Sequence, residues 1–485
     1  MFAPVKYPDD IEPLVQFVEE TAPENIVAET YEKLRSGTPV KKMLLASALA
    51  VMRSTDLPPG HHGGPLHPIS GLHAVRHMAE RMDGEYAMMP VVQNVALSNK
   101  HIHSMAMGPY IMAETYPESV NDSVEETLAE MPYHLSRGAY NAMDHYYQFF
   151  LEKMAPMEVL DHLMQVAIPK NQKDDHYFLF PVFTWRAIEY LGWEYGKYLI
   201  RPAVRYVTRP PGPSAISDVD DLIEEHGLLE RILRFKTGDD ETAVIGALRD
   251  KIGLCNNFKE IPGLMAQALA DGLSLEGVGE GLSIGGSVLF LRSQTGNPMD
   301  VHIHTGANIR RFMIAQKDLS ISTKLRALLT WNSGPEVRSA QFKLAPVQQP
   351  EPERVAAEPP RTQEESLRDM QAFIGTLPVG ERLPTLGLGQ WMCTDEVKQA
   401  ASMAQQYADN NYDPYALFDM LAKVACRDSF TEMHAYKHHQ ATYEEFHNTR
   451  EEFRWTHLVS AVQAAAISHG RIQDVYDDAA QVLHF

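Results

Sequence analysis

Histidines that recur in one local pattern are the residues of this sequence best suited to chemistry. In each copy of the pattern, a short polar or cationic residue follows the histidine by three positions, and His, Asn or Gln follows by six. The four copies begin at His67 (HPISGLHA), His302 (HIHTGANI), His434 (HAYKHHQA) and His457 (HLVSAVQA). Imidazole is the commonest metal ligand in proteins and exchanges protons near neutral pH. The pattern therefore favours metal binding or proton transfer.

Each of these copies is predicted to open a helix. Residues three or four apart share one face of a helix, so Lys437 points in the same direction as His434. Helical repeats tend to pack around a common axis, and inward side chains from several helices build metal sites. We therefore predict that His67, His302, His434 and His457 converge on one ion. The competing explanation is that a short pattern recurs by chance in a chain with 21 histidines.

Three more histidines are candidates for an additional set of ligands. His62 belongs to the segment PPGHHGGPLHP, whose glycines let the backbone approach whatever His67 binds. His176 lies at a similar transition from loop to helix. His304 follows His302 by two residues, and we prefer His302 because it keeps the register of the other copies.

Lys437 is an unusual neighbour for a cluster of histidines. A charged ammonium group is repelled by a metal ion, so Lys437 in such a place suggests a neutral amine that carbon dioxide carboxylates into an anionic oxygen ligand. An ion pair of Lys437 with Glu432 or Glu444 on the protein surface is an equally open interpretation.

The periodicity of apolar residues predicts an all-α protein. Helical spacing is found, for example, at residues 41–52, 69–82, 125–135 and 139–154. The best candidate for a strand is SVLFLR at residues 287–292, which we nevertheless assign to a helix. We expect one large helical fold with internal helical repeats, in which histidines at helix starts converge on a central site.

A proline-rich segment divides the chain. Residues 345–362 (APVQQPEPERVAAEPPRT) are predicted to form an extended linker, because proline has no backbone donor. The linker separates an N-terminal helical region, 1–344, from a C-terminal helical region, 363–485, and each region carries two of the four histidines. Because one site would draw on both regions, the linker is expected to be an excursion within one integrated fold.

Composition excludes several classes of function. The chain has 485 residues and a net charge of −21, which repels nucleic acid and acidic membrane surfaces. Three widely spaced cysteines indicate neither a disulfide framework nor a thiolate metal site. No secretory signal or membrane-spanning apolar run is visible, which predicts a cytoplasmic protein. The glycine motifs of flavin and nicotinamide binding are also missing.

The five residues His67, His302, His434, Lys437 and His457, in a helical chain of this size, resemble the questin oxidase-like family. The histidine-rich PPGHHGGPLHP and the later FRWTHLVSAVQAAAISHG contribute to this resemblance. Proteins of that family open polyketide-derived anthraquinone rings by oxygenation, and part of the family holds iron through four histidines and a carboxylated lysine. The resemblance implies that these five residues bind Fe²⁺ here.

These observations favour a non-heme iron oxygenase that cleaves a C–C bond or ring in an aromatic or polyketide-like substrate, with dioxygen as the second substrate. Trp185, Tyr436 and Trp455 are candidates for the wall of the substrate pocket, although each also suits an ordinary core. Two alternatives stay open, a metal-dependent hydrolase that uses a metal-activated water and a non-catalytic helical scaffold. The sequence also leaves a homo-oligomer open.

Overall fold

The prediction of an all-α fold is confirmed. The computed structural model describes residues 4–56, 63–171, 175–209, 218–232, 240–296, 301–331, 343–379, 391–428, 432–470 and 473–483. Helices dominate these residues, and their only sheet is an antiparallel pair of two-residue strands, β1 (Thr295–Gly296) and β2 (Trp391–Met392), with Thr295 opposite Met392. No helix in the described part of the chain is both long and apolar enough to span a lipid bilayer.

The chain divides into two compact units at places that differ from the predicted linker. Unit 1 consists of Met1–Asn171, His176–Ser214 and Asp474–Phe485, and unit 2 consists of Gln172–Asp175 and Ala215–Gln473. Residues 345–362 therefore lie inside unit 2. They also contain a short helix, Pro352–Ala357. A helix can begin at Pro352 because the first turn does not use the backbone N–H that proline lacks.

Unit 1 is built from helices throughout its described part. Its helices before Ala215 are α1 (Glu12–Glu20), α2 (Ile26–Arg35), α3 (Val40–Ser54), α4 (Leu66–Arg81), α5 (Met89–Ile102), α6 (Val124–Ser136), α7 (Tyr140–Lys153), α8 (Pro156–Ala167), α9 (His176–Leu191), α10 (Gly196–Leu199) and α11 (Arg201–Thr208). Short 3-10 helices occur at Gly84–Met88, Ile168–Lys170 and Trp193–Tyr195.

Unit 2 follows with its own series of helices and one large hydrophobic core. They are α12 (Val219–Glu225), α13 (Leu228–Ile232), α14 (Thr242–Gly253), α15 (Ile261–Ala270), α16 (Leu275–Arg292), α17 (His302–Ala315), α18 (Ile321–Leu329), α19 (Pro352–Ala357), α20 (Gln363–Thr376), α21 (Asp395–Asp409), α22 (Pro414–Ala425), α23 (His434–Asn448) and α24 (Trp455–Ser468), with a 3-10 helix at Phe258–Glu260. The chain then returns to unit 1 with α25 (Asp474–Leu483), which packs against α2 and α5.

Helix α16 is buried along almost its whole length, and its sequence explains why. It reads LEGVGEGLSIGGSVLFLR, with apolar or small residues on every face. A Cβ added at Gly281 would lie 2.9 Å from Leu248, and one added at Gly285 would lie 2.7 Å from Ile252. The two glycines therefore let α14 approach closely. The assignment of SVLFLR to a helix is confirmed.

Four helices of unit 2 form one packed group, and three of them carry His302, His434 and His457. Helix α16 contacts α17 and α24, α17 contacts α23, and α23 contacts α24. Asn308 of α17 donates hydrogen bonds to Glu444 and Glu445 of α23, each at 3.0 Å. Gln463 of α24 donates to the Phe290 carbonyl of α16 at 3.0 Å. The last polar residue of the repeated pattern thus ties neighbouring helices together in both of these copies.

In unit 1, a glycine at the entry to α4 controls the position of His67. Gly63 has a φ of +109°, a conformation that favours glycine, and its carbonyl accepts a hydrogen bond from the Leu66 N–H at 2.7 Å. A Cβ at Gly63 would overlap the ring of Phe180. That ring lies edge-on to His67 at 5.2 Å between centroids and is stacked on His176 at 4.4 Å.

Gly63→Ala should destabilise the protein more than Gly37→Ala. Both glycines have a positive φ, so alanine costs about 1–2 kcal/mol of backbone strain at either position. Only at Gly63 does the new Cβ meet the Phe180 ring, whereas nothing lies within 4 Å of it at Gly37. Overpacking should add roughly 1–3 kcal/mol at Gly63. Urea unfolding of both variants measures the difference, and equal losses would contradict this packing.

Candidate metal centre

The four histidines of the repeated pattern all lie at helix starts, as predicted. His302 and His434 are the first residues of α17 and α23, His67 is the second residue of α4, and His457 is the third residue of α24. All four side chains are buried. Buried imidazoles need partners for their ring nitrogens, so the contacts of each histidine indicate what it does.

His302 and His434 face each other across the contact between α17 and α23. Their Nε2 atoms are 2.8 Å apart, and their ring centroids are 4.7 Å apart with the rings nearly perpendicular. At this distance one imidazole donates its N–H to the lone pair of the other. Two nitrogens bound to one ion at about 2.0–2.1 Å lie roughly 3.3 Å apart in tetrahedral geometry. A small separation of the rings would therefore let both nitrogens bind one ion.

The backbone before His434 adopts an uncommon conformation. Glu432 and Met433 are consecutive non-glycine residues with φ angles of +48° and +67°, in the left-handed region. Such residues cost about 1–3 kcal/mol each and concentrate at functional sites, where the surrounding structure holds them. With this strained backbone, α23 starts at His434 and the His434 ring faces His302.

Lys437, the predicted carboxylated ligand, lies on α23 three residues after His434. Its backbone N–H donates to the Met433 carbonyl at 2.9 Å, and the residue is only 5% exposed. The side chain is therefore not on the surface, where the alternative interpretation placed it, but the ion pair with Glu432 or Glu444 that the same interpretation includes stays a prediction. The role of Lys437 as a ligand stays a prediction.

His304 makes a different set of contacts from His302. Its Nε2 lies 2.7 Å from the hydroxyl of Ser460 on α24, and its ring is edge-on to His438 at 4.6 Å between centroids. Ser460 is the third-position residue of the copy that begins at His457. His304 thus joins α17 to α24, and the facing partner of His434 is His302, the histidine that the register of the pattern favours.

Both ring nitrogens of His457 have hydroxyl partners. Nδ1 lies 3.1 Å from the Ser287 hydroxyl, and Nε2 lies 3.0 Å from the Thr449 hydroxyl. A neutral imidazole has one donor and one acceptor, so these two hydrogen bonds use its full capacity. For His457 to bind an ion, one of them would have to break. Its role as a ligand stays a prediction.

Glu445 supplies a buried negative charge in this helix cluster. Its carboxylate accepts hydrogen bonds from the Ser283 hydroxyl at 2.6 Å and from Asn308 at 3.0 Å, and it pairs with Arg311. Burial by itself raises the pKa of Glu445, but Arg311, the nearby His457 and these hydrogen bonds outweigh it and lower that pKa. The carboxylate therefore stays ionised, with its charge compensated by the guanidinium.

Burial lowers the pKa of three imidazoles in this helix cluster. The pKa of His438 falls to about 3, chiefly through desolvation and also through His439. Desolvation lowers the pKa of His457 to about 4, against the opposing effect of Glu445. The pKa of His304 also lies well below its ordinary value, because of burial and then of its imidazole neighbours. These rings are neutral at pH 7, and neutral imidazole is the form that binds metals.

In unit 1, His67 and His176 lie edge to face with ring centroids 5.1 Å apart. Both side chains are buried. The structure therefore places the additional candidate His176 beside His67, whereas His62 lies outside the described residues. The sharing of one ion by His67, His302 and His434 stays a prediction.

The aromatic residues predicted to line a substrate pocket belong to packed interiors. Trp185 is almost fully buried in unit 1. In unit 2, Tyr436 is fully buried. Trp455 packs edge-on to Phe446, with ring centroids 5.7 Å apart. Contact of these side chains with a substrate stays a prediction.

A cavity beside His434 was not predicted from the sequence. Its volume is about 40 Å³, and besides His434 its polar lining residues include His438, His439, His469 and Asp428. One signal was present in the sequence, since His438 follows His434 by four residues and so shares its helix face. The other walls come from separate helices, which local spacing cannot relate to each other.

The stability of the metal-free protein should fall as the pH drops from about 6.5 to about 4. In the unfolded chain, His438 and His457 take up protons near the ordinary histidine pKa of about 6.5. In the folded protein their pKa values are about 3 and about 4, so the unfolded state binds more protons across this window. Each such histidine removes up to about 1.4 kcal/mol of stability per pH unit.

Urea unfolding at a series of pH values measures this slope. The matched variant is His457→Gln, which keeps a side chain able to hydrogen-bond to Ser287 or Thr449 but cannot titrate. The slope of the unfolding free energy against pH should be smaller in this variant than in the wild-type protein by the contribution of one histidine. An unchanged slope in the variant would show that His457 does not titrate in this way.

Comparison of the chain with protein-family models, with curated proteins and with solved structures finds no match. The assignment of a function to this chain therefore depends on the chemistry of its buried histidines.

Proposed function

We propose that this protein is a non-heme iron oxygenase that binds its metal through His302 and His434. Its proposed reaction is the oxidative cleavage of a C–C bond or ring in an aromatic or polyketide-like substrate. The observation that supports metal binding most directly is the pair of buried Nε2 atoms 2.8 Å apart. The resemblance to the questin oxidase-like family supports the choice of reaction.

The two rings fit a metal ion in their chemistry and in their burial. Imidazole nitrogen suits iron, and a neutral imidazole binds a cation through the lone pair of a ring nitrogen. Both rings are buried between packed helices, which excludes bulk water from them. Bound iron would supply the redox chemistry that dioxygen needs to react with an electron-rich ring.

Two imidazoles are too few to hold iron firmly, so the proposal requires more ligands. Taken alone, the described part of unit 2 contains no three His, Cys, Asp or Glu side chains whose ligand atoms lie within 4.8 Å of one another. The sequence-based hypothesis supplies the remaining ligands as His67, His457 and a carboxylated Lys437. A carboxylated lysine would add an anionic oxygen ligand to the two imidazoles of the proposed site.

Metal content separates this proposal from its rivals. Iron together with consumption of dioxygen supports an oxygenase. Zinc or manganese together with hydrolysis of a generic ester supports the metal-dependent hydrolase instead. A purified protein without metal, whose stability does not change when a chelator is added, supports the non-catalytic scaffold.

His302→Ala and His434→Ala should each lower the iron content of the purified protein by roughly tenfold or more, because each removes a proposed ligand. The matched control is His447→Ala. His447 lies on α23 with His434, but it is exposed and hydrogen-bonds to Tyr415. This variant should retain its iron. Elemental analysis of the three proteins measures the result, and full iron content in His302→Ala or His434→Ala would overturn the proposed site.

Lys437→Gln tests the carboxylated ligand separately. Iron uptake by wild-type protein prepared without carbon dioxide should rise several-fold when bicarbonate is added, since a carboxylated amine can then form. Uptake by the variant should not respond, because an amide cannot be carboxylated. Equal responses of wild type and Lys437→Gln to bicarbonate would exclude Lys437 as a carboxylated ligand.

His67→Ala should lose iron to the same degree as His302→Ala.

A further inference from the structure

The cavity in unit 2 lies directly beside the proposed metal-binding pair. All of its lining residues belong to unit 2. They come from α22, α23 and α24, from Asp428 and His469 just after α22 and α24, and from Val301 just before α17. The His434 side chain takes part in both features, because it lines the cavity and its Nε2 faces His302. A molecule in the cavity would therefore be in contact with a proposed iron ligand.

The size of the cavity restricts what can occupy it. Its volume is about 40 Å³. One water molecule needs roughly 10–15 Å³ by this kind of measure, and an engineered protein cavity that binds benzene has about 150 Å³. The cavity therefore accepts a molecule of two or three heavy atoms and is too small for an aromatic ring. The proposed aromatic substrate must bind elsewhere.

The surface of the cavity is mostly apolar. Leu421 and Val424 of α22 and Ala461 and Ala464 of α24 contribute to its walls. Alanine at the two α24 positions is what leaves the space open, because a longer side chain at either position would extend into it. Such a surface favours a small apolar guest over water.

Several polar side chains in the wall direct their polar atoms at backbone carbonyls. The hydroxyls of Thr442 and Ser468 each donate to the carbonyl four residues earlier in their own helix, at 2.9 and 3.0 Å. His439 Nε2 lies 2.9 Å from the Phe418 carbonyl. A bound water molecule needs two to four hydrogen-bond partners, and these hydroxyl protons and this ring nitrogen are already used within the protein.

His438 offers the cavity one polar atom. Its Nε2 is buried and has no hydrogen-bond partner in the described part of the chain. Asp428 and His469, which also line the cavity, have interactions of their own. An apolar diatomic molecule needs no hydrogen bond in order to leave water, whereas this single polar atom does not replace the hydrogen bonds that a water molecule gives up.

We infer that this cavity binds molecular dioxygen and holds it next to His434. The inference rests on the proposed function and extends it, because it separates the place of the gas from the place of the aromatic substrate. Ala435, Ala465 and Ser468 are the partly exposed lining residues. They mark the entry of the gas between α23 and α24.

The direct test uses the paramagnetism of dioxygen, which speeds the relaxation of nearby methyl protons. Full-length protein with labelled Ala, Leu and Val methyl groups is compared by NMR under argon and under dioxygen pressure. Dioxygen should increase the relaxation rates of the methyl groups of Ala461, Ala464 and Leu421 at least twice as much as those of Ala441 and Leu417. The latter two residues are buried but do not line the cavity. Equal effects on both sets would overturn the inference.

Filling the cavity provides a second measurement. Ala464→Leu should abolish the extra relaxation at Leu421 and raise the KM for dioxygen at least fivefold while leaving the iron content unchanged. The control, Ala356→Leu, adds the same atoms to an exposed position on α19 and should behave like the wild type. An unchanged KM for dioxygen in Ala464→Leu would contradict the role of the cavity.

The two proposals can fail separately. Enhanced relaxation at the lining methyl groups, in a protein that contains no iron and consumes no dioxygen, would sink the proposed oxygenase and leave the dioxygen site standing. Iron and dioxygen consumption without enhanced relaxation would sink the cavity and leave the oxygenase standing.

Discussion

The need to satisfy buried imidazoles shapes the interior of unit 2. A polar ring that leaves water loses its hydrogen bonds, and the loss costs free energy unless the protein replaces them. His457 meets this requirement with two hydroxyls, and His304 pairs one of its two ring nitrogens with a third. These hydroxyls come from α16, from the end of α23 and from α24. The packing of α16, α17, α23 and α24 follows from these pairings as much as from their apolar faces, since each pairing fixes how one helix is turned relative to the next.

The contact of His302 with His434 differs from the others because each ring uses a second ring. A hydroxyl can rotate to donate or to accept, so it suits either tautomer of an imidazole. Two imidazoles form a hydrogen bond with each other only when one of the two facing nitrogens carries a proton and the other does not. Their hydrogen bond contributes about 1 kcal/mol and is therefore easily exchanged for bonds to a cation. The left-handed residues before His434 fit this interpretation. A strained backbone that the surrounding structure holds in place would keep the His434 ring in position while its partner changes from His302 to a cation. Metal binding would then stabilise the fold, and loss of the fold would in turn weaken metal binding.

Much of the fold and part of the site could be predicted from local sequence. Helical periodicity gave the all-α class, and the recurrence of histidine in one register placed His67, His302, His434 and His457 correctly at helix starts. The same register favoured His302 over His304, and the structure pairs His302 with His434. In each case the signal lies within about two helical turns, where side-chain direction follows directly from spacing.

What could not be predicted depends on contacts between remote segments. Ser287 and His457 are 170 positions apart, and the sequence near either residue does not predict their contact. The proline content of 345–362 indicated extended backbone, but it did not show that one proline would begin a helix. The cavity is harder still to predict, because it is a space that three helices leave between them. No residue type encodes such a space, and it exists only where small side chains from different helices coincide.

The return of the chain to unit 1 through α25 has a consequence for biosynthesis. Helix α25 packs on α2 and α5, and the hydroxyls of Tyr86 and Tyr476, 390 positions apart, lie 3.3 Å from each other. A ribosome that adds about 5–20 residues per second needs roughly 20–80 s to travel between these two tyrosines. Throughout that interval the surfaces of α2 and α5 await their last helix, while unit 2 emerges almost as one continuous stretch. The order of completion during translation is therefore the reverse of the order in the chain: the inserted unit can mature first, and the one that begins the protein must wait.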